Sequence, residues 1–410
     1  MKKHATLVGL VIALVGTVFA GEGPVPRGVP HLDHVFVIMM ENHSLKQIFN
    51  NPFAPFANRY ANSANSAHNY FAVAHPSLTN YLEIVGGSNF GVQSDNNPDW
   101  HNTGCTTNLA SGVANTDNPA SSLVCPIRGT GKDAATPALD FTNETSGPPG
   151  VINIDGRTSF DAADTVGKTI ADQLAASGRR WKSYQESLPA SGADGVNFAD
   201  GFFTDSSNIP SIIPGEAQSL IKLYAAKHNP FVYFGAVQDS TDPAMSLKNV
   251  VGFSGPRGLF ADLANGTVPA LSFIAPNQCN DQHGRGNAGP QCDFDPHNDG
   301  TQNGLNPALI RVGDDALQNL VTAIHSSPSW AKGNNAIVVV WDEDDFSIAP
   351  TTNQVLLIVD TNYGPHRVRS NKFYTHFSLT KTLEAGFGLP CLNHACDAGT
   401  STISDLFADH

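Results

Sequence analysis

Two stretches of the chain place acidic side chains directly after apolar runs. In residues 34–44, HVFVIMMENHS, the six residues Val35 to Met40 are apolar, and Glu41, Asn42, His43 and Ser44 follow at once. In residues 336–345, AIVVVWDEDD, an apolar run ends on Asp342, Glu343, Asp344 and Asp345. Carboxylates crowded at a strand end repel one another unless a positive charge sits among them. Oxygen donors of this kind suit a divalent metal ion, and Mg²⁺, Ca²⁺, Mn²⁺ and Zn²⁺ are all compatible with them. The expected metal ligands are Glu41, Asn42, Asp342 and Glu343. The plain alternative for the second cluster is a solvated acidic loop.

A third stretch offers a nucleophile. In residues 72–89, AVAHPSLTNYLEIVGGSN, Ser77 follows Pro76 and precedes Leu78, Tyr81, Leu82 and Val85 at helical spacing. A serine at a helix start lies in a field that favours its alkoxide, and the free amides there can hold an anionic phosphate. Asn80 returns on the same side one turn later and has an amide to offer a phosphoryl oxygen. An ordinary N-cap serine is the plain reading of the same residues. Asp281 and His283, in PNQCNDQHGRG, follow another apolar run and suit a second metal site or a pair contacting phosphate. The nearby CDFDPHNDG, residues 292–300, lacks the sixth-position glycine and twelfth-position glutamate of a calcium loop and reads as polar surface.

These residues need rigid elements behind them. Continuous apolar runs at 35–40, 231–237 (FVYFGAV), 270–275 (ALSFIA), 336–341 and 355–359 (VLLIV) suit strands of a parallel sheet covered on both faces. Helical spacing at 161–176, 314–324 and 375–385 alternates with them. The predicted fold is α/β, a three-layer α/β/α sandwich with a mostly parallel sheet and long loop insertions. Ligands in such sheets gather beyond the carboxyl ends of the strands, where the acidic clusters fall. Residues 88–158 are rich in Asn, Gly, Ser, Thr and Pro and read as an insertion in one domain spanning 30–410.

The chain has 410 residues, enough for a large core, and a formal net charge of -14. That acidity argues against non-specific nucleic-acid binding and against a polybasic membrane anchor. Lys2 and Lys3, the apolar 7–18 and the small-x-small Val18-Phe19-Ala20 read as a signal peptide over 1–20, with a single N-terminal anchor as the alternative. No other run approaches the ~20 apolar residues of a span. The expected localisation is periplasmic or extracellular. The six cysteines form three sequence-local pairs, and proximity selects Cys105–Cys125, Cys279–Cys292 and Cys391–Cys396 from the roughly fifteen connectivities open to six thiols.

In their order along the chain, HVFVIMMENHS, HPSLTNYLEIVGG, PNQCNDQH, VVVWDEDD and YTHFSLTKTLE resemble the phosphoesterase family of secreted acid phosphatases and phospholipases C, in its smaller acid-phosphatase branch. The resemblance covers roughly residues 32–408, apart from 88–158 and 286–312. It implies a fold similar to alkaline phosphatase and the sulfatases, with a metal at the ends of parallel strands. By the same resemblance Glu41, Asn42, Asp342 and Glu343 bind the metal, Ser77 is the nucleophile and Asn80 holds phosphate. His283 lies against the phosphoryl group, with Asp281 beside it. Thr79 stands where relatives often have proline, and Glu343 where some have aspartate; neither departure removes an oxygen ligand.

The function this implies is hydrolysis of phosphate monoesters, phosphoinositide phosphates among them, through a phosphoserine. His75 and His43 are candidate proton donors to the leaving group, and His376 a supporting residue. The expected partner is a small phosphate ester or a phospholipid headgroup. A phospholipase C-type phosphodiesterase is the nearest alternative, and a non-catalytic calcium-binding exported protein is one of another class. A Ser-His-Asp esterase is disfavoured, because Gly86-Gly87-Ser88-Asn89-Phe90 lacks the last glycine of a nucleophile elbow.

Overall fold

The computed structural model describes residues 21–92, 94–98, 117–118, 123–133, 163–188, 223–284, 307–344 and 352–409. The expected signal peptide, most of the 88–158 insertion, the 292–300 loop, Cys105, Cys292 and Asp345 lie outside the described residues.

One nine-stranded sheet organises the chain. In sequence order its strands are β1 (His34–Met40), β2 (Asn65–Phe71), β3 (Trp181–Gln185), β4 (Val250–Gly252), β5 (Leu271–Ala275), β6 (Asn335–Trp341), β7 (Gln354–Thr361), β8 (Arg369–Ser370) and β9 (Tyr374–Thr375). Across the sheet they run β8-β2-β7-β6-β1-β5-β3-β4, and β9 also pairs with β2. β1 pairs in parallel with β6 on one side and β5 on the other, so the three central strands all point their carboxyl ends one way. Only β7 runs against its neighbours β6 and β2. The central strands are buried on both faces, as their unbroken Val/Ile/Met composition requires. Truncating Ile38 or Ile337 to alanine in such a place costs about 2–5 kcal/mol.

Helices cover both faces. α1 (Pro55–Ser63), α4 (Leu259–Asn265) and α5 (Pro307–His325) pack together on one. On the other lie α2 (Ser77–Gly86), α3 (Ile170–Ala176) and α6 (His376–Phe387). α2 is buried along its whole length. It ends on Gly87, whose φ of 71° is left-handed and whose Cα faces the Leu392 carbonyl, so a side chain there would collide with backbone. His394 clasps this end of the helix: its amide donates to Gly87 O, and its ring lies 2.5 Å from Asp133 and 2.6 Å from Asp397. Among the described residues, no helix is long and apolar enough to cross a membrane.

Two expected elements are corrected. The apolar run at 231–237 is not a strand but a 3₁₀ turn, Pro230–Tyr233, followed by a short helix, Gly235–Gln238. Its residues are apolar because they are buried against α2, and a short apolar run cannot report its own backbone period. The expected helix over 161–176 begins instead with a strand, Asp164–Val166, paired to Thr130–Lys132. The helix starts only at Ile170, where Thr169 and Asp172 form a capping box. The expected disulfide Cys391–Cys396 is formed. Cys125 and Cys279 are each disulfide-bonded as well.

Candidate active site

The carboxyl ends of β1 and β6 lie side by side, with Met40 opposite Trp341, so Glu41-Asn42 and Asp342-Glu343 leave the sheet as neighbours. Asn42 turns the chain with φ 55°, a left-handed value that asparagine tolerates better than most residues. The turn aims its amide at Asp342 Oδ1, 2.9 Å away, and the same oxygen accepts from the Glu343 amide at 2.7 Å. Behind Asp342, His376 at the start of α6 donates from Nε2 to the Asp342 carbonyl at 2.6 Å, while its Nδ1 accepts from Tyr70 at 2.8 Å.

Ser77 is the first residue of α2 and faces this pair of strand ends. Its Oγ lies 3.2 Å from Glu41 Oε2 and 3.2 Å from Glu343 Oε1. A hydroxyl has one proton, so it cannot donate to both carboxylates at once. Asn80 is fully committed: it donates to Ala74 O at 2.8 Å and Glu343 Oε2 at 3.0 Å, and accepts from the Val73 and Ala74 amides at 3.1 Å. It therefore fixes the turn before Ser77, and any phosphoryl oxygen competes with Glu343 for its amide. His75 sits between Glu343, at 3.0 Å, and Asp344, at 3.5 Å. Burial alone would lower its pKa, but these two carboxylates outweigh it and hold the imidazole well above its usual value.

On the other side of Glu41 lie two histidines. His228 places Nε2 3.3 Å from Glu41 Oε1 and Nδ1 3.3 Å from Asp281 Oδ2. Burial, and the charge of Lys227, push its pKa well below the usual value, so these contacts join a neutral ring to carboxylates and are not ion pairs. His283 is likewise held neutral, pushed down to about 3 by burial and by Lys227. Glu41, His228 and His283 bring one ligand atom each within 4.8 Å of one another. Tyr81 stacks on His228, ring centroids 5.2 Å apart, and bonds Glu41 through its hydroxyl. Lys227 lies 3.1 Å from His283 Nε2 and 3.0 Å from Asp95 Oδ2.

The electrostatics of this cluster call for a cation. Burial, then mutual repulsion, raises the pKa of Glu41 and Asp281 well above the carboxylate range; burial raises Asp342, and burial with Asp342 lifts Glu343 to about 8. Asn42 Oδ1 and Asp342 Oδ2 are buried and have no hydrogen-bond partner among the described residues. Oxygen atoms so placed cost free energy unless something positive binds them. The donor set therefore fits a divalent ion, which Glu41, Asn42, Asp342 and Glu343 would hold, and the His228 and His283 nitrogens lie beside Glu41.

The structure thus brings together Glu41, Asn42, Ser77, Asn80, Asp281, His283, Asp342, Glu343 and His75. His43 bonds the Glu41 carbonyl through Nδ1 at 2.9 Å. Lys227, His228, Tyr81 and Asp95 were not expected. The signal for the first two was a Lys-His pair two residues before a buried apolar run, close to the mirror image of the pattern at Glu41. Tyr81 reads as part of the apolar stripe of α2 and carries no separate signal.

The Phosphoesterase family model matches residues 47–390 of this chain. The phosphatidylinositol-3-phosphatase of Mycobacterium tuberculosis is 24% identical over 100% of this chain and 98% of its own length. The acid phosphatase of Aspergillus fumigatus is 21% identical over 79% of this chain and 48% of its own. The phosphate-repressible acid phosphatase of Penicillium chrysogenum is 23% identical over 79% and 52%. The chain spans about half the length of these two fungal relatives. Among solved structures, a protein of the alkaline phosphatase superfamily from Vibrio parahaemolyticus is similar at a TM-score of 0.47 and 11% identity, over 94% of this chain and 75% of the other.

Proposed function

This chain belongs to the Phosphoesterase family and hydrolyses phosphate esters, and from that premise we propose that it is a metal-assisted phosphomonoesterase with Ser77 as nucleophile. The observation that carries the reading is the position of Ser77 Oγ, 3.2 Å from carboxylates of two different strand ends and at the N-terminus of a buried helix. Glu41, Asn42, Asp342 and Glu343 would hold a divalent ion, which would supply charge that lowers the pKa of the serine hydroxyl and polarises the phosphoryl group.

The chain's own groups do the rest. Ser77 Oγ gives up its proton and forms the new bond to phosphorus, the ester oxygen leaves with the electron pair of the broken P–O bond, and it takes up one proton in return to depart as the alcohol. Water then cleaves the phosphoserine, releasing phosphate and restoring the hydroxyl. Lys227 and the Leu78 amide, which meet at Asp95 beside Ser77, are the donors we assign to the non-bridging oxygens. His75, held charged between Glu343 and Asp344, balances those acids. A lysine ammonium in the site favours a dianionic monoester over a monoanionic diester, which supports the phosphatase over the phospholipase C reading. The phosphoinositide named for the mycobacterial relative is the lipid substrate class we infer here. The Cys391–Cys396 disulfide supports an oxidising destination for the protein.

The test is Ser77→Ala on p-nitrophenyl phosphate across a divalent-metal series, beside the bis-ester and phosphatidylinositol phosphates. The reading expects loss of turnover and of a trappable phosphoenzyme. Full activity in Ser77→Ala would overturn it.

A further inference from the structure

Asp95 is an acid of this site whose two oxygens are each engaged by a donor. It lies beyond α2, in the short stretch 94–98, with a side chain only 3% exposed. Its Oδ1 accepts the amide of Leu78 at 2.9 Å, and Leu78 is the residue after Ser77, in the first turn of α2. Its Oδ2 lies 3.0 Å from Lys227 Nζ, which itself lies 3.1 Å from His283. One carboxylate therefore bridges a helix-start amide beside Ser77 and a buried lysine ammonium. Those two donors are of the kind that hold a phosphoryl oxygen: an amide at a helix N-terminus and a compact ammonium.

We propose that Asp95 is an internal competitor for the phosphoryl group and sets how tightly substrate and product phosphate bind. A carboxylate oxygen and a phosphoryl oxygen are acceptors of the same type and sign. A phosphate dianion that engages Lys227 or the Leu78 amide does so against Asp95 and meets its charge. The penalty falls on substrate and inorganic phosphate alike, so it raises KM and speeds product release without weakening the bond-making step. The inference rests on the reading of Ser77 as the nucleophile and deepens it: Asp95 is a specificity-determining residue of the same site.

The test is competitive inhibition by inorganic phosphate, with kcat and KM on p-nitrophenyl phosphate, for wild type, Asp95→Asn and Asp95→Ser. Asparagine keeps the shape, and serine keeps a short acceptor for the Leu78 amide, so one of the two is expected to fold; thermal unfolding shows which. The inhibition constant for phosphate should fall roughly tenfold when the charge is removed, the scale of one hydrogen bond to a charged group. KM should fall with it, and adding Lys227→Gln should cancel the gain. An inhibition constant that is unchanged or raised in every folded variant overturns the proposal. So does a fall in kcat at unchanged KM, which would make Asp95 a positioning residue for Lys227. If wild type hydrolyses no phosphate ester and binds no phosphate, the underlying reading fails and this inference falls with it. If wild type is active and only the Asp95 variants fail to bind phosphate more tightly, this inference alone is wrong.

Discussion

His376 holds the carbonyl of Asp342 at 2.6 Å through its Nε2, one residue before Glu343, whose carboxylate Ser77 meets at 3.2 Å. The other ring nitrogen takes the Tyr70 hydroxyl at 2.8 Å, which fixes the tautomer. Burial pushes the ring down to about 4, so it stays neutral at working pH. The imidazole thus braces the backbone from which both Asp342 and Glu343 project.

Removing that brace should loosen the acids without touching them. His376→Ala is expected to lose about 10–100-fold in metal affinity and in kcat/KM, as losses of supporting bonds to metal ligands do. His376→Gln keeps a donor and should recover part of both. Metal titration followed by activity checks it; equal metal affinity in wild type and His376→Ala would sink the idea.

Stripping the metal should change how stability depends on pH. Burial raises Glu343 to about 8, well above its unfolded value near 4.5. A carboxyl whose folded pKa is raised binds more protons folded than unfolded, so stability falls as pH rises between those two values. Glu41 and Asp281 are shifted the same way. Protein dialysed against a chelator should therefore melt lower at pH 8 than at pH 5, and added divalent ion should restore more stability at pH 8. A metal-free melting temperature that is flat or rising over that range contradicts the account of the site.

His394, which clasps the far end of α2, gives a second pH window with the same sign at higher pH. Burial would depress its pKa, but Asp133 and Asp397 outweigh that and lift it to about 9. A histidine raised on folding contributes stability that is fully present below about 6.5 and is lost as pH climbs through 9. With Asp397 half exposed, the contribution is about 2 kcal/mol. Wild type should lose melting temperature between pH 6.5 and 9.5, and His394→Gln should lose much less over the same interval. Parallel curves would show that the clasp carries no charge.

What was legible from sequence was whatever is written locally. Glu41, Asn42, Asp342 and Glu343 stand out because a buried strand must be apolar and its end need not be. Ser77 stands out because Pro76 and the helical spacing after it mark a helix start. Lys227 and His228 were hidden because a 3₁₀ turn, Ala226–His228, has no period to read, and its place beside Glu41 is set by packing on α2. Asp95 was hidden in a stretch that reads only as polar insertion. The strands β2, NSAHNYF, and β3, WKSYQ, were hidden for a different reason. Their polar residues are satisfied by distant backbone: Asn65, for example, donates to the carbonyls of Pro365 and Leu406. The antiparallel course of β7 is a property of pairing, not of composition.

The bond from the Asn42 amide to the Asp342 carboxylate joins positions 300 residues apart, and that from Ser77 to Glu343 joins positions 266 apart. A nascent chain ending before Trp341 already carries Glu41, Ser77, His228 and Asp281, yet lacks Asp342 and Glu343, to which Asn42, Ser77 and Asn80 bond. Closing such long loops is a late event in folding. The site is therefore complete only when the last of the three central strands, β6, has paired with β1.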